Sequence, residues 1–386
     1  MNNFEFFNPV KIIFGKDQLG KLAQHIPLEK KVLMIYGGGS ILKNGVHTAI
    51  QQALKSYTVI EFNGIEPNPR YETAMKAVEL IKAEKIEFLL AVGGGSVIDA
   101  TKFIAAAALF TEGDPWDLLA KRKPVKAALP FGAVLTLPAT GSEMNSGFVM
   151  TRESTHEKFA CSSQLTFPLF SFLLPDAAAT LPKRQVANGV VDAFMHTMEQ
   201  YMTYPDNAPL QDRFAESILQ TLIEEGPKAY ANPADYEAMS NLMWSATMAL
   251  NGLIGSGVPQ DWAVHMMGHE LTASFGIDHA RTLAIIAPSH YKYNFESKKE
   301  KLAQYGERVW KITTGSSDEK ARAAIEKTEA FFNSLGVDTK LSKYTADFKG
   351  TAQHISKRFS ERGWAGLGEK RSLKPSDVEK IVEMSY

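Results

Sequence analysis

Two stretches of this sequence bring together side chains able to hold a divalent metal ion. Asp192 and His196 lie four residues apart in VVDAFMHTMEQ. His265 and His269 repeat that spacing in WAVHMMGHELTASFGIDHA, and His279 follows ten residues later, beyond Gly276. On a helix, residues four apart share one face, so each pair can present two ligands to one ion. Carboxylate oxygen and imidazole nitrogen together suit Zn²⁺ or Fe²⁺. Three of the nine histidines fall between 265 and 279, which argues for a site rather than scatter. His47, His156 and His290 show no such spacing and are expected to be structural. Met266 and Met267 are expected in the core, and Glu199 and Glu270 as paired or solvated carboxylates.

Glycine triplets supply a second kind of chemistry. KVLMIYGGGS ends an apolar run in Gly37, Gly38, Gly39 and Ser40. FLLAVGGGSVIDATK ends another in Gly93, Gly94, Gly95 and Ser96, with Asp99 close behind. Glycine permits close approach of a backbone to a ligand. A helix starting just after such a turn offers unpaired N–H groups and a positive dipole end to a pyrophosphate. Neither triplet matches G-x-G-x-x-G, so a relative of the standard dinucleotide fold is expected. The turn after the first strand lacks the acidic residue that takes a ribose 2′-hydroxyl. Glu61 is expected as a paired or solvated strand residue. The uncharged turn, with Ser40 and then Lys43, suits a 2′-phosphate better. A third turn, PATGSEMN, offers Thr140, Ser142 and Asn145, which either reach a cofactor or cap the next segment.

These residues need elements to position them. Lys31–Tyr36, Tyr57–Phe62, Phe88–Val92 and Ala133–Leu137 are short apolar strand candidates. Helical patterns at Tyr71–Glu84 and Val97–Phe110 alternate with them, which implies βαβ units and a parallel sheet. From Lys183 on, long helical patterns follow: Gln185–Tyr201, Ala208–Tyr230, Pro233–Leu253, Trp262–Phe275, Lys298–Thr314 and Ser317–Leu335. The expected organisation is a Rossmann-like α/β dinucleotide-binding domain over 1–180 and an all-α metal-binding domain over 181–386.

Composition narrows the class. The 386 residues suffice for two domains, and 42 Lys plus Arg against 43 Asp plus Glu give a net charge of -1. That balance argues against a nucleic-acid partner. A single cysteine, Cys161, excludes an intrachain disulfide and a multi-cysteine zinc site. No apolar run approaches the roughly 18 residues of a membrane span. MNNFEFFNPVKIIFG lacks the basic region and apolar core of a secretory signal. A cytoplasmic enzyme without a membrane partner is expected.

The longer motifs carry a family resemblance. GGGSVIDATK, LPATGSEMNSG, LPDAAATLPKRQVANGVVDAFMHTMEQ and WAVHMMGHELTASFGIDHARTLAIIAPSHYKYN occur in the order found in the iron-activated, group III alcohol dehydrogenases. The chain most resembles their NADPH-dependent butanol dehydrogenase and broad aldehyde reductase branch. The resemblance implies a dehydroquinate synthase-like architecture with one divalent ion, Fe²⁺ or Zn²⁺. It implies Asp192, His196, His265 and His279 as the metal ligands and His269 as a further active-site histidine. The pyrophosphate loop falls on Gly94, Gly95 and Ser96, with Asp99 beside it. Further cofactor contacts fall on Asn68, Thr136, Leu137, Asn145 and Lys158. Many NAD-using relatives carry an aspartate where this chain has Gly38, which favours NADP(H). Leu137 replaces a threonine common in the family, so any contact there is apolar or through the backbone.

The expected reaction is reversible hydride transfer between NADPH and an aldehyde such as butanal, with His269 as a proton relay. Phe148, Met195, Trp244, Leu253, Ile254, Met266 and Phe275 are expected to favour an alkyl tail. The competing enzyme reading is a lyase resembling dehydroquinate synthase, which would need a cluster of Lys and Arg for its anionic substrate. A non-enzymatic metal-binding or ligand-binding protein would not need both sets of residues. Finally, Phe4–Gly15, with FEFF and KIIF, is expected as an apolar edge before the first strand. A second copy would cover it, and the resemblance likewise implies a homodimer.

Overall fold

The structure, a computed structural model, describes residues 1–386. The chain divides into two units. One comprises Phe7–Pro182 with Asn232–Thr247; the other comprises Met1–Phe6, Lys183–Ala231 and Met248–Tyr386.

The first unit holds every strand: β1 (Lys11–Phe14), β2 (Val32–Tyr36), β3 (Val59–Phe62), β4 (Phe88–Gly93), β5 (Phe131–Leu135), β6 (Gly147–Arg152), β7 (Glu157–Ser162) and β8 (Phe170–Leu173). Six of them form one parallel sheet in the order β1-β8-β5-β4-β2-β3. β6 and β7 form a separate antiparallel hairpin. Every residue of β2, β4 and β5 is buried. Central parallel strands are covered on both faces, which is why VLMIY, FLLAVG and FGAVL are almost wholly apolar. The helices are α1 (Ser40–Lys43), α2 (Val46–Ala53), α3 (Tyr71–Glu84), α4 (Gly95–Ala107) and α5 (Asp117–Ala120).

One local expectation is corrected here. KIIF does not precede the first strand; it is β1, a parallel edge strand on β8. The β6–β7 hairpin and β8 were not expected from the sequence. GFVMTR and EKFACS are half exposed and mixed in polarity, and four residues of FSFL are too few to show a period. The helix after the first glycine triplet has four residues, whereas the one after the second has thirteen.

The second unit is helical: α6 (Lys183–Tyr201), α7 (Pro209–Ala231), α9 (Ala263–Phe275), α10 (His279–Tyr293), α11 (Phe295–Arg308), α12 (Ser317–Ser334), α13 (Thr351–Glu361) and α14 (Pro375–Glu383). Between α7 and α9 lies α8 (Tyr236–Ala249), most of which belongs to the first unit. No named strand forms after Lys183. α6 is buried from Gly189 to Tyr201, so it is a core helix and not an amphipathic surface one. α9 closes on Gly276 at φ 67°, a left-handed turn that suits glycine. The chain restarts as a helix at His279 and carries Pro288 inside it, a helix not foreseen from the sequence. No helix is long and apolar enough to cross a membrane.

Candidate functional site

α6 supplies Asp192 and His196 one turn apart, α9 supplies His265 and His269, and α10 begins with His279. The structure brings Asp192, His265 and His279 together: one ligand atom from each lies within 4.8 Å of the others. His196 lies beside this set without being part of that convergence. Its Nε2 is 3.8 Å from Asp192 Oδ1, and His279 Nε2 is also 3.8 Å from the same oxygen. The His196 ring stacks on His265 with centroids 4.9 Å apart. His269 is partly exposed, its ring 5.0 Å from His279 and 6.4 Å from His265.

Asp192, His196 and His265 are buried, and His279 is partly so. Burial pushes the His196 imidazole down to about 4; Asp192 opposes this shift and His265 adds to it. A neutral imidazole keeps a lone pair for a metal, and one carboxylate offsets part of a divalent charge. The donor set therefore fits a borderline divalent ion such as Fe²⁺ or Zn²⁺.

Several neighbours were not expected from the sequence. Trp262 sits at φ 64°, a strained conformation for a bulky residue, with its ring 5.1 Å from His265 and 6.4 Å from His196. Its indole N–H donates to Gln260 Oε1 at 2.8 Å. By contrast, Phe148 is buried against Phe103 and Met195 is wholly buried, so these two are packing residues, while Trp244 is exposed with its ring 6.3 Å from Phe14. Glu199 is buried and accepts the His265 backbone N–H at 3.2 Å. It lies seven residues after Asp192, a helical spacing that was the available signal. Glu270 is paired with Arg358 and Arg362 rather than solvated. Nearby, Asp261 Oδ2 lies 3.0 Å from His290 Nε2 and 2.7 Å from Lys298 Nζ. Burial pushes the Asp261 carboxyl up, but His290 and Lys298 together hold it well below the usual range. His290 is thus structural, as expected.

In the α/β unit, the turns after β2, β4 and β5 lie at the carboxyl ends of three adjacent parallel strands. Tyr36 is level with Val92, and Gly93 with Leu135. β3 follows β2 on one side, and the chain then crosses back to β4 on the other. That reversal is where open α/β sheets bind ligands. Gly94 caps α4, and Gly95 and Ser96 are its first residues. A Cβ on Gly95 would lie 2.2 Å from Thr140 Oγ1, and one on Gly94 would lie 3.1 Å from Leu137 Cβ. The triplet thus lets the α4 amino end sit against the Leu137–Thr140 turn. Thr136 and Leu137 follow β5, and Thr136 N–H donates to Gly93 O. The first triplet is different: Gly37 is crowded by Ile65 O at 3.2 Å, nothing lies within 4 Å of a Cβ on Gly38, and Gly39 turns at φ 90° into Ser40. Glu61 is paired with Tyr36, His47 and Gln51.

Asp99, Ser142 and Asn145 are tied into one polar network. Ser142 Oγ donates to Asp99 Oδ1 at 2.6 Å, and Val149 N–H donates to Asp99 Oδ2 at 2.9 Å. Lys102, wholly buried and not singled out in the sequence, donates to Ser142 Oγ, Asn145 Oδ1 and Gly147 O. Burial pushes its ammonium down to about 8, against the pull of Asp99 and Glu143. Lys158 Nζ donates to Asn68 Oδ1 at 2.8 Å, and Asn68 is held at φ 57°.

Comparison with known proteins finds relatives along nearly the whole chain. The model of the iron-containing alcohol dehydrogenases matches residues 9–175, and that of the carboxyl-terminal part of the family matches residues 186–386. The NADPH-dependent aldehyde reductase YqhD of Escherichia coli (strain K12) is 54% identical over 385 residues, 99% of each chain. A probable NADH-dependent butanol dehydrogenase of Bacillus subtilis (strain 168) is 41% identical over the whole of both chains. A crystal structure of the E. coli protein superposes with TM-score 0.98 at 53% identity, covering 100% of this chain and 99% of that one. NADH-dependent butanol dehydrogenase A from Thermotoga maritima gives 0.93 at 35% identity, with 100% and 99% covered. With both family models matched and relatives similar over nearly the whole of their own length, the chain is an oxidoreductase of the iron-containing alcohol dehydrogenase family.

Proposed function

We propose that this enzyme reduces aldehydes with NADPH, reversibly to primary alcohols, over a range of alkyl aldehydes such as butanal. The observation that carries the reading is the convergence of Asp192, His265 and His279, in a chain 54% identical to an NADPH-dependent aldehyde reductase. When bound, the groups supply Lewis-acid polarisation of a carbonyl by a divalent ion and hydride donation by a reduced nicotinamide. Asp192, His196, His265 and His279 would hold the ion. Asp192 brings negative charge to it, and neutral imidazoles complete the set. His269, which is partly exposed, passes the proton that the product alcohol requires.

Gly94, Gly95 and Ser96 at the start of α4 would receive the pyrophosphate. The Gly37–Ser40 turn would take the 2′-phosphate, with Glu61 already engaged elsewhere. Thr136, Leu137, Thr140, Asn68 and Lys158 complete the cofactor contacts, while Asp99, Ser142 and Asn145 hold the turns that carry them. The functional division is a cofactor-binding part over 1–180 and a metal-binding part over 181–386, in a cytoplasmic enzyme. NADPH oxidation with butanal, with and without a chelator and after reloading with Fe²⁺ or Zn²⁺, tests the reading. No turnover after reloading either ion would overturn it and reopen the lyase alternative.

The enzyme is proposed to act as a homodimer joined along β1. Phe4, Phe6, Phe7 and Phe14 are exposed, and β1 is a sheet edge. The N–H groups of Lys11 and Gly15 point to β8, so by alternation those of Ile12 and Phe14 point outward. Met1 and Asn2 are already bonded to Asp206 and Gly257 of their own chain, so deleting the amino end would disturb the monomer too. Ile12→Pro removes one outward donor and spares the β8 ladder. Light scattering should give about twice 42.6 kDa for the parent and a weaker dimer for the variant. A parent mass of one chain would refute the dimer.

A further inference from the structure

We propose that Lys102 is a positioning residue for the nicotinamide cofactor: from α4 it latches the 141–147 turn, and so presets the seat between the α4 amino end and the 137–140 turn. The inference rests on the cofactor reading above and adds a residue outside the contacts named there. Lys102 is wholly buried, and its ammonium has three acceptors for its three N–H groups. Nζ donates to Ser142 Oγ at 2.8 Å, to Asn145 Oδ1 at 3.0 Å and to Gly147 O at 2.7 Å. None of these acceptors titrates. The latch therefore does not depend on the charge of Asp99, whose carboxyl burial pushes up.

The spacing along α4 shows what the latch holds. Asp99 and Lys102 lie four and seven residues after Gly95, so all three share one face of the helix. All three meet the same stretch of chain. A Cβ on Gly95 would lie 2.2 Å from Thr140 Oγ1, and Ser142 Oγ and Val149 N–H both donate to Asp99. The Ser142 N–H in turn donates to Thr140 Oγ1 at 3.1 Å. From Gly95 to Lys102 is about 10 Å along the helix axis. Two anchors that far apart fix both the place and the tilt of the turn, whereas one would let it pivot. Asn145 is engaged in the same latch: Oδ1 also accepts the Gly147 N–H, and Nδ2 donates to Gly141 O, each at 2.9 Å.

A buried lysine is a costly way to hold a turn, since burial pushes its ammonium down to about 8. An apolar side chain would fill the space without that cost, but it would leave three buried acceptors without donors. What the ammonium contributes is a turn ordered before the cofactor arrives, so that binding does not have to order it.

Two measurements on the full chain test this, both at about pH 7, where the ammonium is kept. Hydrogen exchange of the cofactor-free parent, which needs no variant to fold, should show the 141–147 amides already protected. Protection that appeared only on adding NADPH would overturn the proposal. Lys102→Met then removes the three donors at similar length. Its 141–147 amides should exchange faster, and NADPH, followed by its fluorescence, should bind about tenfold more weakly. The KM for NADPH should rise by about as much, while kcat and the KM for butanal stay within about twofold of the parent. Unchanged NADPH affinity would overturn the proposal. So would a loss spread equally over kcat and both KM values, which marks a general loosening of the fold. A parent that binds neither NADPH nor NADH would instead defeat the cofactor reading, and this proposal with it.

Discussion

Asp192, His196, His265 and His279 present side-chain atoms from three helices, whereas the turns after β2 and β4 present backbone N–H groups and missing side chains. The first arrangement is specific but brittle. In the proposed metal site each ligand would be one atom on one side chain, which its neighbours could not replace. The second is distributed. In the proposed cofactor site several N–H groups would share a phosphate, and each glycine would contribute the space it leaves. Gly95 is crowded by Thr140, while Gly38 has open room. Substitutions in the two regions should therefore fail in different ways.

The largest effect is expected in the side-chain cluster. His265→Ala should remove most bound metal and lower kcat/KM by about 10³-fold or more, ~4 kcal/mol of transition-state stabilisation. Metal analysis and steady-state kinetics check this. Full occupancy at a near-normal rate would mean the ion is held elsewhere.

A smaller and reparable loss is expected at the second triplet. Gly95→Ala drives a methyl group into Thr140 and should cost about 1–3 kcal/mol in stability, with a raised KM for NADPH. Adding Thr140→Ala should restore part of both, because it removes the clashing atoms. Thermal melts and KM values of the two singles and the double would show it. If the double were no better than Gly95→Ala, crowding would not be the cause.

The smallest effect is expected at the first triplet. Gly38→Asp meets no steric obstacle, so its melting temperature should not change. Its carboxylate should repel a 2′-phosphate and accept from a 2′-hydroxyl, shifting the NADPH-to-NADH preference by about tenfold, ~1.4 kcal/mol. Equal use of both cofactors by the parent would remove the basis for this prediction.

Much of this was legible in the sequence because it is local. The i,i+4 pairs on α6 and α9, the apolar runs of β2, β4 and β5, and the glycines that follow two of them depend on the period of one element. Elements with weak local signals were lost: β8 by its length, β6 and β7 by mixed polarity.

What the sequence determined by itself is which residues share a face and which turns lack side chains, since the helical and strand periods fix both. Only the tertiary structure decided which faces meet. The docking of α6, α9 and α10 brings His279 and His265 to Asp192 and leaves His196 beside that convergence. It also sets Glu199 against a histidine 66 positions away. The sheet order, likewise, puts the ends of β2, β4 and β5 side by side although long segments separate them in the chain. Periodicity orients a side chain about its own axis. Its partner is chosen by the packing of whole buried surfaces, which no short window of residues contains.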